Sequence, residues 1–312
     1  MKKYLLILAF LAATGATHAQ LGTPLSQYSG NQLIYNPGYA GTQDLFSANL
    51  SIRRLWIGLP GAPNLISLNA HAPFQTERHA LGFVYQREEW GPMIGHIVYA
   101  NYAYKIDLGN SFLSLGLQAG FLNNVIDWDK IDFVTHPNDP GLGKGRTATT
   151  SPDINFGAYY HSQNFYLGLS AKHLTMPKFG RIKMDNGEEW YSQKRIQYFM
   201  IGGYNFALSE EWDLRPELLV RYINTMPTTV GAGANVVYLN RFFLGAAFHT
   251  GQKSLSFTLK GEIMDGFRIG YSYDIHFGKL QSFQRGSHEI SINYFMPLWK
   301  REEPKAVDSF WL

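Results

Sequence analysis

The stretch FLSLGLQAGF from Phe112 places Leu113, Leu115, Leu117, Ala119 and Phe121 on one side and Ser114, Gly116, Gln118 and Gly120 on the other. A period of two sends successive side chains to opposite faces, so this is a strand with one apolar face. The pattern recurs in NFYLGLSAK, LSFTLKGE, FRIGYSYDIHF and HEISINYF. About fourteen such segments begin near residues 45, 63, 79, 95, 111, 152, 164, 196, 213, 227, 240, 253, 266 and 286. Most run about ten residues, the length a tilted strand needs to cross a bilayer.

A soluble sandwich also alternates, but its polar face meets water and usually carries Lys and Glu. Here that face is rich in Gly, Ser, Asn and Gln. Charged residues make up 16% of the chain, against a usual share of roughly 25%. Aromatic pairs gather near strand ends, at Tyr102 and Tyr104, Tyr159 and Tyr160, Tyr294 and Phe295, as in the girdles of membrane barrels. The reading is all-β: a transmembrane antiparallel β-barrel of about fourteen strands over residues 45–298. Connections at 107–110, 161–163, 208–213 and 264–266 are short, whereas those at 125–152 and 175–195 are long. They fall on opposite sides, the short ones periplasmic and the long ones extracellular, as outer-membrane barrels require.

The first nineteen residues, MKKYLLILAFLAATGATHA, carry Lys2 and Lys3, an apolar run and a small-residue close. They read as a secretory signal cleaved before Gln20. The chain has no Cys, which excludes lipid attachment at cysteine, disulfides and thiolate chemistry. A formal net charge of +3 gives no case for nucleic acid.

No catalytic, cofactor-binding or metal-binding set emerges. The His residues lack an H-E-x-x-H spacing, and Gly141–Gly145 lacks the first glycine and the Ser or Thr of a phosphate loop. Arg215, Glu217, Arg221, Lys260, Glu262, Arg268, Asp274, His276 and Glu289 all fall on inward positions. Asp274 and His276 beside a serine invite a triad. A hydrated, salt-bridged interior that ties strands together is the plainer reading. The mixed signs also argue against a strongly ion-selective pore.

The segment SQYSGNQLIYNPGYAG ahead of the first strand resembles the N-terminal signature of the PorP/SprF family, outer-membrane proteins of the type IX secretion system of Bacteroidetes. The matching residues are Gln27, Tyr28, Tyr35, Asn36, Pro37, Tyr39, Ala40 and Gly41, with Gly38 where the family usually has Ala. Arg53, Arg54, Trp56, Gly58 and Gly61-Ala62-Pro63 continue the likeness. So do LGFVYQREEWGP, LSLGLQAGF and the closing SYDIHF and GSHEISINYF blocks. The resemblance implies a non-enzymatic barrel in the type IX apparatus, a machinery that exports proteins with C-terminal sorting domains and, in some members, drives gliding. It also implies contacts with periplasmic ring or peptidoglycan-linked components, or with one secreted client.

Residues 20–44 are therefore expected to form an irregular segment, because Pro37 breaks strand pairing and Asn36-Pro37 favours a turn. Two placements stay open: a plug folded into the lumen, its tyrosine hydroxyls bonded to inward Arg and Glu, or a periplasmic strap for a partner. Residues 299–312, charged in the middle and ending Phe310-Trp311-Leu312, form a periplasmic tail. The alternative function is a diffusion channel or fatty-acid-type transporter.

Overall fold

The structure, a computed structural model, describes residues 25–43, 45–75, 78–131, 145–183, 189–278 and 280–298. The expected signal at 1–19, the glycine-rich loop at 141–144 and the tail from 299 lie outside them. The chain forms a closed antiparallel barrel of fourteen strands. The first seven are β1 (Phe46–Arg54), β2 (Asn64–Pro73), β3 (His79–Trp90), β4 (Met93–Asp107), β5 (Ser111–Asp127), β6 (Arg146–Ser162) and β7 (Phe165–Lys172). A separate hairpin follows, β8 (Lys178–Lys183) with β9 (Glu189–Gln193). Then come β10 (Gln197–Tyr204), the two-residue β11 (Phe206–Ala207) and β12 (Trp212–Ile223). The wall finishes with β13 (Met226–Tyr238), β14 (Phe242–His249), β15 (Ser254–Met264), β16 (Phe267–His276) and β17 (Ser287–Met296).

Each wall strand pairs with its neighbours in sequence, and β1 pairs with β17 to close the sheet. Register keeps the apolar residues level. Leu50 lies opposite Ile292 on one side and Leu68 on the other. A slip by one residue would turn every side chain to the wrong face. On β16, Arg268, Gly270, Ser272, Asp274 and His276 are buried while Ile269, Tyr271 and Ile275 are exposed. Buried polar and exposed apolar is the inverse of a soluble core. It is the arrangement that a lipid-facing wall around a polar interior requires. No helix among the described residues is long and apolar enough to cross a membrane.

The turns 108–110, 163–164, 239–241 and 265–266 are short and share one end of the barrel, here termed the inner, periplasmic end. The outer end carries the longest connections, between β5 and β6 and between β7 and β10. The first is shorter than the alternation implies. β6 begins at Arg146 and not near 152, and β5 continues to Asp127. The outward residues Ala148, Thr150 and Pro152 form no lipid-facing stripe, so hydrophobicity did not mark this part of the strand. The stretch expected as a loop at 175–195 contains the β8–β9 hairpin, which leans on the outer ends of β5 and β6. There Ser151 Oγ donates to the Lys178 carbonyl at 3.1 Å.

Tyr102, Tyr104 and Tyr294 are exposed on the outer surface, where the girdle reading places them. Tyr159 is not. It is buried in the interior and stacked on Tyr166, ring centroids 5.7 Å apart.

Candidate functional site: a segment held against a polar interior wall

Residues 25–43 do not join the sheet. They form short helical turns, at Tyr28–Asn31, Gln32–Tyr35 and Pro37–Tyr39, where the sequence shows no helical periodicity. Asn36 sets the last of them: its Oδ1 accepts the Gly38 amide at 2.8 Å, and Pro37 occupies the first position, where no amide is needed. Nearly every residue of the segment is buried, and its partners lie on inward faces around the barrel.

The contacts begin at the outer end with Ser26 and finish at the inner end with Gly41. Ser26 lies at the outer ends of β1, β16 and β17. Its amide donates to Glu289 Oε2 at 2.7 Å and its hydroxyl to Asp274 at 2.8 Å. Gln27 Oε1 accepts from Ser291 at 2.7 Å. Asn31 bridges Ser51 and Asn69. Gln32 accepts from the Tyr159 hydroxyl, and the carbonyls of Leu33 and Ile34 accept from Gln118 and Lys172. Asn36 Nδ2 donates to the carbonyls of Ala158 and Leu169, and Asn101 donates to the Pro37 carbonyl. At the inner end Tyr39 packs edge-on against His71 and Tyr159, and the Gly41 amide reaches His71 Nδ1 at 3.2 Å. Gly41 has φ +71, a left-handed conformation that glycine takes without cost.

The wall is shaped to this backbone. A side chain at Gly116 would overlap the Pro37 carbonyl, one at Gly157 would overlap Asn36 Oδ1, and one at Gly168 would meet Asn36 Nδ2. Gly38 matters for the same reason. An added Cβ there would sit 2.8 Å from the Ser114 carbonyl oxygen. Close approach to the β5 backbone is what the small residue provides at Gly38.

The inward ions fall into three groups. At the outer end Arg53, 1% exposed, reaches Asp274 at 2.6 Å, Glu289 at 3.0 Å and the Ser26 hydroxyl. Midway, Lys260 is drawn to Glu217 and Glu289, and Glu217 accepts from Asn235. At the inner end Arg215 bonds Asp213 and Asn205, while Arg268 bonds Glu262. Both guanidiniums lie over Phe243, and Arg268 also lies over Phe295. Arg221 stands apart, in an outward-opening cavity. The triad does not assemble. Asp274 is engaged by Arg53 and Ser26, and His276 by Ser287 and the Gln252 carbonyl. Among the described residues no group of three His, Asp or Glu is placed to hold a metal ion.

The tyrosine hydroxyls behave differently from expectation. Among the described residues the Tyr28 hydroxyl has no hydrogen-bond partner, and Tyr35 Oη accepts the Leu25 amide at 3.0 Å. The segment's backbone and Ser26 meet the ions instead. Burial pushes the Tyr35 phenol up to about 12 and raises Tyr28 and Tyr39 as well. These rings remain neutral at physiological pH.

Arg53 was not singled out among the inward ions, although it shares β1's inward parity with Asn49 and Ser51. A second cluster left no sequence signal. Asp153 accepts from Tyr99 at 2.5 Å, from His173 Nδ1 at 2.7 Å and from Thr175 at 3.0 Å. His173 follows β7 with φ 61. Burial pushes its imidazole down to about 4 against the pull of Asp153.

A closed antiparallel wall with a polar interior and an apolar exterior defines an outer-membrane β-barrel. Solved structures of that class share the architecture. The Ralstonia pickettii toluene transporter TbuX aligns with TM-score 0.53 and 12% identity over 85% of this chain and 92% of its own. The P. putida toluene transporter TodX aligns with TM-score 0.52 and 9% identity over 87% and 95%. At such identities the likeness is one of fold. No curated protein sequence matches. Residues 17–294 match the family described as type IX secretion system membrane protein PorP/SprF, and the chain belongs to that family.

Proposed function

We propose that the barrel serves type IX secretion through protein contacts and not as an open pore, with residues 25–43 as the plug of its lumen. The observation that carries this reading is the segment's course against the inner wall, from Ser26 at the outer ion cluster to Gly41 at His71. Along that course it makes hydrogen bonds to β1, β2, β4 to β7, β16 and β17. The family supports the secretion role. The partners we infer are type IX ring or peptidoglycan-linked periplasmic components, or a secreted protein with a C-terminal sorting domain. Outer-membrane lipid surrounds the wall. Gln27, Tyr28, Tyr35, Asn36, Pro37, Tyr39 and Gly41 are the plug's fixing points in this reading. The inward ions are its sockets, and no chemistry is assigned to them.

The test is an affinity pull-down of the tagged protein from solubilised outer membrane, with mass spectrometry of what co-purifies. Ring components or a sorting-domain protein are expected. Recovery of only lipid and general porins would count against the reading. Conductance in planar bilayers separates it from the alternative of a diffusion channel or fatty-acid-type transporter. A steady, large open conductance in the unmodified protein would refute the plug.

A further inference from the structure

Above the segment the barrel holds a cavity of about 120 Å³ facing the outer mouth. Its floor and sides include Ile34, Tyr35, Ile97, Phe179, Phe199 and Ile223. Lys172, Lys194, Arg195 and Arg221 also line it, and among the described lining residues Glu88 is the one carboxylate. His173 sits at the edge, pushed down to about 4 by burial, and so adds no charge at neutral pH. Lys172 is held in place. It is buried, and its ammonium donates to the Ile34 carbonyl at 2.7 Å and stands over the Tyr99 ring. Lys172 and Lys194 repel one another. Burial also pushes the Lys194 ammonium below its ordinary value, while Glu88 and Asp153 pull it back up.

In the cavity, Lys172, Lys194, Arg195 and Arg221 outnumber Glu88, on a lining that mixes apolar side chains with Gln86, Asn124 and Gln197. Clustered cations attract an opposite charge, the more so beside the buried Lys172 and Arg221, where water screens weakly. Apolar lining rewards a hydrocarbon part, and a space of this size takes an aromatic ring or a short chain.

We propose that the cavity is a binding site for a small amphipathic organic anion, one carboxylate on an aromatic or aliphatic body. The carboxylate faces Lys172, Lys194, Arg195 and Arg221, and the body rests on Ile34, Tyr35 and Phe199. The floor belongs to the segment, so the ligand touches both the segment and the wall. Occupancy would therefore favour the state in which the segment stays docked.

The experiment uses the full chain in nanodiscs and two soluble probes of the same shape, 4-phenylbutyrate and its neutral amide, 4-phenylbutanamide. Binding is read by saturation-transfer NMR and equilibrium dialysis. The acid should bind saturably and about tenfold more tightly than the amide, a difference of the size that a partly desolvated charge contact gives. Lys194→Gln with Arg195→Gln alters only the loop between β9 and β10, so the wall strands remain. It should weaken the acid about fivefold or more and leave the amide unchanged. Equal binding of acid and amide, an unaffected acid affinity in the double variant, or no saturable binding would each overturn the proposal. Displacement by inorganic phosphate at the same concentration as by unlabelled phenylbutyrate would overturn its amphipathic part.

Discussion

Replacing Arg53 by Ala tests how the segment is anchored. The guanidinium is almost completely buried and holds Asp274 at 2.6 Å and Glu289 at 3.0 Å. Its loss leaves two carboxylates facing each other in the interior, with the Ser26 and Gln27 amides turned toward Glu289. Breaking a buried pair by removing one partner costs about 3–5 kcal/mol, mostly the penalty of the stranded charge. The backbone ladder between β1 and β17 does not need this side chain, but Arg53 lies opposite Glu289 across it, so the cost is shared between that seam and the outer end of the segment. At about 1.4 kcal/mol per factor of ten, opening of that end should become more frequent by up to roughly a hundredfold to a few thousandfold. The chain has no Cys, so Leu25→Cys places a single thiol at a position 1% exposed. Its labelling rate with an impermeant maleimide, with and without Arg53→Ala, reports the opening. Adding Asp274→Asn and Glu289→Gln to Arg53→Met should restore most of the protection, because no charge is then stranded. A change under about threefold in the Arg53→Ala protein would show that the ion group does not anchor the segment.

Four other outcomes are expected. Gly116→Ala should leave the barrel assembled, judged by its heat-modifiable migration on gels. It should loosen the segment by about 1–3 kcal/mol of overpacking, read as faster labelling of Ala40→Cys. Asn36→Ala removes three hydrogen bonds and should raise protease cleavage near Pro37 without changing strand content. Alkali should release the segment. Tyr35 ionises near pH 10 when free and at about 12 when docked. Docking therefore weakens as pH rises from 10 toward 12, and Tyr35→Phe should blunt that loss in a labelling-versus-pH series. His173 has the opposite sign. Its docked value near 4 lies below the ordinary 6.5, so the opened state takes up a proton first and local stability falls as pH drops from 6.5 toward 4. Hydrogen exchange at residues 173–176 should quicken in that window and stay flat in His173→Gln.

The wall was legible in the sequence because two solvents impose two opposite demands on neighbouring residues. Lipid selects Leu115, Ile269 and Ile290, and the interior selects Ser114, Arg268 and Glu289, at strict alternation. Each of the fourteen strands could be located from that pattern, and the ions on β12, β15, β16 and β17 fell on the correct face. The signal failed at the outer end of β6. The outward residues before Pro152 there, Ala148 and Thr150, form no apolar stripe. It failed again at Tyr159, where an aromatic near a strand end belongs to the interior and not to the girdle. The segment was legible only as not being a strand. Its partners are more than a hundred residues away in the chain for Ser26 and Asn36, and no local period encodes such pairings.

The glycines of the inner wall connect these two parts of the chain. Read alone, Gly116, Gly157 and Gly168 are merely small members of a polar face, and glycine weakens a strand. A water-filled pore has no use for that weakness, since Ser or Asn would hydrate as well and pair better. Here each of the three lies under Asn36 or Pro37, where any side chain would displace the segment. The bonds that Asn36 Nδ2 makes to the Ala158 and Leu169 carbonyls are possible only because the wall is bare at those places. The barrel sequence is thus compromised locally in favour of the segment, and the segment's Asn-Pro turn is unintelligible without the bare wall. That reciprocity makes a strong prediction about order. If the segment is an adjustable strap that docks only on occasion, larger residues at 116, 157 and 168 should improve the barrel's own stability with no loss of secretion. If it is built in, the same substitutions should impair the assembled protein even though every strand gains propensity. Comparing Gly157→Ser and Gly168→Ala for heat resistance of the folded barrel and for release of sorting-domain clients distinguishes the two, and the structure favours impairment.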